Sequence, residues 1–309
     1  MPASRRLLLP FLASIALLAP AAWTLQAPAA AASPSRTEAI PLLQHVAVIG
    51  ASLSAGHGLG KGPKGTRLDL AQVIDAGVSA AHGEVFNASS RMTFLDPVAS
   101  SKKAFGELAT RETTLVVALD YLFWFGYGTS WNGEKERLDA LEIGLKSLEE
   151  LKCPILLGDF PDMSSALKAP QPVLPAQAVP DAATLKKLNE RLAAWVKEHP
   201  NVVLVPVSQL MGALLAGEEL RVGTNLWTKG KVGSLLQEDG LHPTLEGTTG
   251  LWLFALERLR AAHKELPANA FETKVGTIDE RLSPGLQLHV VDEPIPAKRG
   301  KTAPAKPVH

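Results

Sequence analysis

The 309-residue chain has one cysteine, Cys153. A single thiol excludes an internal disulfide framework and any zinc or iron–sulfur site built from several thiolates. Net charge is also missing, because 31 basic and 31 acidic side chains cancel. A nucleic-acid partner would require a basic face, so none is expected. The histidines show no His-x-Glu or closely paired spacing, and the glycines at 56, 58, 60 and 62 lack the Lys-Ser/Thr ending of a phosphate cradle. Neither a metal nor a cofactor is therefore expected. Beyond the N-terminus no apolar run is long enough to cross a bilayer. Aromatic residues amount to only 6%, yet 46% of the chain is hydrophobic and 20% charged, ample material for a core. The length suits one domain of enzyme size or two small ones. Nothing in the composition specifies an oligomeric state.

Residues 1–32 read separately from the fold. Arg5 and Arg6 precede the apolar stretch LLLPFLASIALLAP and a small-residue zone ending in AAAAS. This is the layout of a secretory signal, and Pro10 and Pro20 argue against a permanent spanning helix. The paired arginines also resemble a twin-arginine export signal. Export to the periplasm or the extracellular medium is expected, with no stable membrane span after signal removal. A cut after Ala32 removes two Arg and no acid, leaving a small acidic excess. Export agrees with the scarcity of thiols, and Cys153, just before an apolar run, reads as a small buried residue.

The mature part alternates short apolar runs with amphipathic stretches. The runs at 45–49, 84–87, 113–119, 154–157 and 201–205 are mostly apolar on both faces, as buried parallel strands are. Helical periodicity marks Leu68 to Val78, Leu138 to Leu151, Leu185 to Val196 and Glu246 to His263. The alternation predicts a three-layer α/β/α sandwich with a five-stranded parallel sheet, and ligands of such sheets sit beyond the strands' carboxyl ends. Residues 159–180 hold prolines 161, 170, 172, 175 and 180 and read as a long irregular loop. The domain is drawn at 33–265. Residues 266–309 form a C-terminal extension whose last part, rich in Pro and Lys, reads as disordered.

Two segments carry chemistry. Gly50-Ala51-Ser52-Leu53 follows the first strand, and Asp239-Gly240-Leu241-His242-Pro243 precedes the last helix. A serine hydroxyl needs a base to attack a carbonyl, and an Asp three residues before a His can fold back onto its ring. In this order and separation the segments resemble those of the GDSL, or SGNH, hydrolases, over residues 45–263. The resemblance implies a flavodoxin-like α/β fold and a carboxylic ester hydrolase. It implies Ser52 as nucleophile, His242 as base and Asp239 as orienter. A helix-capping role is the structural alternative for Asp239.

The middle of the chain departs from the family. Ala51 stands where the family has Asp, so the turn must be held otherwise. The second segment, Val85-Phe86-Asn87-Ala88-Ser89-Ser90-Arg91-Met92, has no oxyanion glycine, so a backbone donor from Ser90 to Met92 is needed. The third runs Leu119-Asp120-Tyr121 with no oxyanion Asn. Tyr121, Asn87 and Asn132 are candidate replacements, and Asp120 is expected to brace the loop or cap a helix. Losing one oxyanion donor typically costs about 10²–10³ in rate.

Tyr121, Phe123, Trp124, Phe125, Tyr127 and Trp131 crowd into this region. Asn87, Arg91, Tyr121, Trp124 and Trp131 are therefore the candidate oxyanion or substrate residues, with the rings as an apolar wall for an acyl chain or a sugar face. Trp227 and His57 are weaker candidates. Three functions compete: an exported serine esterase acting on a small-molecule, glycan or lipid ester; an O-acyltransferase or deacetylase of an envelope polysaccharide; and a binding protein that keeps the fold but has lost the oxyanion hole.

Overall fold

The computed structural model describes residues 39–63 and 65–293. The signal-like stretch 1–32 and the end of the basic tail, 294–309, lie outside the described residues. Five strands form the sheet: β1 (Val46–Val48), β2 (Phe86–Asn87), β3 (Leu115–Ala118), β4 (Ile155–Gly158) and β5 (Val202–Val205). All pair in parallel, in the order β2-β1-β3-β4-β5. Each of the five apolar runs forms one strand, and the order is that of a flavodoxin-like sheet.

Alternate strand residues face opposite layers, which divides the core in two. Val46, Val48, Leu115, Val117, Leu156 and Val205 face one side. There they meet α1 (Leu70–Gly77), α6 (Val207–Leu215), α7 (Leu245–Ala262) and α8 (Val275–Leu282). Ala47, Ile49, Val116, Ala118, Ile155 and Leu157 face the other. They meet α2 (Pro97–Leu108), α3 (Phe123–Gly126), α4 (Glu134–Leu148) and α5 (Ala182–Glu198). Burying each such Val or Leu is worth about 1.5–3 kcal/mol, so both cores are needed to hold the sheet. Among the described residues no helix is long and apolar enough to cross a membrane.

Helix starts follow sequence chemistry. Asp69, Asp96 and Asp181 cap α1, α2 and α5 by accepting from backbone N–H groups, and Thr244 caps α7. The Thr244 cap matters for the site because it fixes where His242 and Pro243 leave the loop.

The boundary drawn at 265 is corrected. Leu266, Ala270, Phe271, Val275 and Ile278 are buried in the same core as α1 and α7. Further on, β8 (Val291–Asp292) pairs with β7 (Asn225–Trp227), which pairs with β6 (Leu220–Val222) in a small antiparallel sheet. The first part of the extension thus belongs to the domain. The loop after β4 is irregular as expected, with two short 3-10 turns. It is anchored nonetheless: the buried Arg137 guanidinium donates to the carbonyls of Gly126, Gln177 and Ala178. Cys153 is half-buried, and burial pushes its thiol above the ordinary range.

Candidate active site

The chain leaves β1 through Ile49 and Gly50 into a helical turn, with Ala55 N–H donating to the Ala51 carbonyl and His57 N–H to that of Ser52. This turn presents Ser52 at the carboxyl edge of the sheet. Asp120, just past β3, holds it. Its Oδ1 accepts from Ala51 N–H at 3.1 Å and the Ser54 hydroxyl at 2.6 Å, and its Oδ2 from Leu53 N–H at 2.9 Å and Ser54 N–H at 3.3 Å. Burial raises the Asp120 carboxyl above the ordinary carboxylate range, against these same hydrogen bonds. A Cβ on residue 50 would lie 2.1 Å from Asp120 Oδ1, so glycine there makes room for the brace. Asp120 therefore braces the loop and does not cap a helix.

The second segment arrives from 190 residues away. His242 Nε2 lies 2.8 Å from Ser52 Oγ, and its Nδ1 lies 2.7 Å from Asp239 Oδ2. Asp239 Oδ1 accepts from the N–H groups of Leu241 and His242, both at 2.9 Å. Burial works to raise the Asp239 carboxyl, but the His242 backbone, the His242 ring and Leu241 N–H outweigh it and hold the group below its ordinary value. An ionised Asp239 accepts a hydrogen bond from Nδ1–H, which leaves Nε2 as the acceptor facing the Ser52 hydroxyl. Asp239 and His242 are buried, while Ser52 is half-buried and reachable.

Two further residues complete the frame. The His57 ring stacks on His242 with centroids 4.1 Å apart. Burial, then the neighbouring His242, with Arg91 and Arg67, lowers the His57 pKa against the pull of Asp239. The shift favours the neutral form of His57, whose ring backs that of His242. Gln237 ties the two segments together: its Nε2 donates to the His57 and Pro243 carbonyls, both at 2.7 Å, and its N–H to the His242 carbonyl at 2.8 Å. Ligand atoms of His57, Asp239 and His242 lie within 4.8 Å of one another. Both His242 nitrogens are already engaged, however, and the stacked rings direct their lone pairs along near-parallel planes rather than at one point.

The structure moves most of the other candidates. Tyr121 is buried, its hydroxyl bonded to Ser101 at 2.6 Å and to the Gly144 carbonyl at 3.3 Å, and burial pushes its pKa up to about 12. It belongs to the core and is no oxyanion donor. Asn87 donates to the Ser54 carbonyl at 3.1 Å and accepts from both Ser89 N–H and the Ser89 hydroxyl, so it supports the turn. Asn132 is exposed near the start of α4. Trp131 Nε1 donates to the Trp124 carbonyl at 2.9 Å, and both rings pack against the α2–α5 core. Trp227 is buried, with Nε1 bound to Glu246 at 2.8 Å. Arg91 is exposed, and its charge reaches His57.

Backbone donors remain. Ser90 N–H is bound to the Gly50 carbonyl and Met92 N–H to the Ser90 hydroxyl. Among the described residues, the N–H groups of Ser52 and Arg91 have no acceptor. An apolar cavity of about 80 Å³ adjoins Ser52 and His242. Its walls include Phe123 at the start of α3, Pro161 and Met163 on the loop after β4, and Leu210, Met211 and Leu214 on α6. Phe123 is the ring of the crowded segment that reaches it. Sequence periodicity could not select Phe123, because α3 is a single turn.

Sheet order and site together define a flavodoxin-like α/β protein with an aligned Ser-His-Asp triplet at the carboxyl edge of its sheet. No family model matches the chain, and no curated protein matches it. Among solved structures the chain is similar to TesA, at 19% identity and a TM-score of 0.42, over 71% of this chain and 99% of that one. It is also similar to the lipase Lip_vut3 from a goat rumen metagenome, at 16% identity and a TM-score of 0.40, over 71% of this chain and 97% of the lipase.

Proposed function

We propose that this protein is an exported serine hydrolase that cleaves a carboxylic ester through an acyl-enzyme on Ser52. The observation that carries the reading is the continuous line from Asp239 Oδ2 through the His242 ring to Ser52 Oγ, at 2.7 Å and 2.8 Å. Ser52 Oγ attacks the ester carbonyl while His242 Nε2 takes its proton. The bond to the alcohol oxygen breaks, and His242 returns that proton to the leaving alkoxide. Water then attacks the acyl carbon, giving one proton to His242 and its hydroxide to the acyl group. Ser52 recovers the proton as the acid departs. Asp239 keeps the ring oriented and balances the imidazolium.

The unpaired backbone N–H groups of Ser52 and Arg91 are the donors this reading assigns to the developing oxyanion, in place of the Asn side chain that the resemblance implies. One donor fewer predicts turnover about 10²–10³ below that of a fully equipped site. Export rests on Arg5, Arg6 and the apolar stretch that follows. The aligned triplet favours an enzyme over a binding protein that has lost its chemistry. Steady hydrolysis of p-nitrophenyl acetate tests the reading: it should be measurable in the wild type and lost in both Ser52→Ala and His242→Ala. A folded wild type with no turnover on this or any short ester would overturn it.

A further inference from the structure

The cavity beside Ser52 bears on which part of the ester is recognised. We propose that it holds the acyl group, and that it selects a short, apolar chain. The inference rests on the acyl-enzyme reading above. The polar side chains on the wall are Ser52, Asp120, Asp159 and His242. Ser52 and His242 are the reacting pair. Asp120 is committed to the nucleophile turn. Asp159 accepts from Ser208 N–H at 2.7 Å and from the Ser208 hydroxyl. No polar side chain is left to bond a sugar hydroxyl, and burying one unpaired is unfavourable. The rest of the wall is largely aliphatic, with Leu210, Met211 and Leu214 presented by α6.

Size narrows the class further. A volume of about 80 Å³ is roughly half of the ~150 Å³ cavity that takes the six carbons of benzene, so it has room for about three carbons. Chemistry decides between acyl group and alcohol. The acyl group stays on Ser52 until water removes it, whereas the alcohol must leave after the first step. A recess walled by α6 and α7 suits the part that stays.

Two ester series test this. In the first the alcohol is p-nitrophenol and the acyl chain grows from acetate through butyrate and hexanoate to octanoate. In the second the acyl group is acetate and the alcohol grows. The expected wild-type kcat/KM is highest at acetate or butyrate and falls at least about tenfold by hexanoate, the low end of what misfit methylenes cost in a tight apolar pocket. The alcohol series should show no such cut-off. Met211→Ala and, separately, Leu214→Ala should raise the hexanoate-to-acetate ratio by at least about tenfold. That ratio does not depend on the folded fraction, so a destabilised variant still reports. An unchanged ratio in both variants, or a cut-off in the alcohol series instead, overturns the proposal. A wild type that neither turns over any ester nor reacts with a fluorophosphonate refutes the ester reading itself, and the acyl assignment with it.

Discussion

Asp120 and Ser54 are joined by a 2.6 Å hydrogen bond, and through it the end of β3 holds the turn that carries Ser52. The same carboxylate takes the N–H groups of Ala51, Leu53 and Ser54. The carboxylate missing at position 51 is thus supplied from the neighbouring strand, over ground that Gly50 leaves open.

Asp120→Ala would leave those donors without their acceptor, at about 1–3 kcal/mol for each that finds no water. The expected result is a melting temperature lowered by several degrees, with kcat reduced at least about tenfold through misplacement of Ser52. Asp120→Asn keeps an acceptor oxygen and should lose less of both. Thermal melts and ester kinetics on the two variants check this. Wild-type values in Asp120→Ala would show that the brace is dispensable.

Gln237 is expected to act on the rate and not on substrate binding. It bridges the His57 and Pro243 carbonyls, which belong to the nucleophile turn and the His242 segment. Releasing that bridge in Gln237→Ala lets Ser52 and His242 drift, and misplacement of about 1 Å can cost about 10²-fold in rate. The predicted pattern is a kcat reduced by about tenfold or more at unchanged KM. A change confined to KM would contradict the positioning role.

Asp279 gives the fold its own pH signature. It is fully buried, accepts from the Thr249 hydroxyl through Oδ1, and has no partner on Oδ2. Burial, with the charge of Glu246 adding to it and the Thr249 bond opposing it, raises its pKa from 3.8 to about 7. A carboxyl raised on folding stabilises the protein while protonated. That contribution is complete below the unfolded pKa and is lost as pH rises through about 7, of order 4 kcal/mol across the window. Wild-type stability to denaturant should therefore fall from pH 5 to pH 8 more steeply than that of Asp279→Asn, which cannot ionise. Parallel pH profiles for the two proteins would contradict this.

Much of the architecture was legible because buried parallel strands and amphipathic helices leave strong period signals. The five runs and the two triplet segments fall where the sequence placed them. What escaped has local reasons. Helix α2 announces itself only by Asp96 and Pro97 at its start, because its inward face, Pro97, Ser101, Ala104 and Leu108, carries a single large aliphatic side chain. Helix α8 and β8 are short, and their packing on α1, α7 and β7 is non-local. The site's support was harder still. Gln237 and Asp159 act through contacts across long sequence separations, which spacing does not encode, whereas for Asp120 the choice between bracing the loop and capping a helix needed the contacts to Ala51, Leu53 and Ser54. The same holds for Tyr121 and Phe123: two residues apart, one turns into the α2–α5 core and the other lines the cavity.

Everything proposed for this site depends on Ser52 being a nucleophile activated by His242 and Asp239. The most direct measurement is mass-spectrometric mapping of the folded protein after reaction with a fluorophosphonate. One adduct is expected, on the peptide containing Ser52, absent from Ser52→Ala and strongly slowed in His242→Ala. A folded protein that takes no adduct, or takes it equally in Ser52→Ala, would show that Ser52 is not the nucleophile.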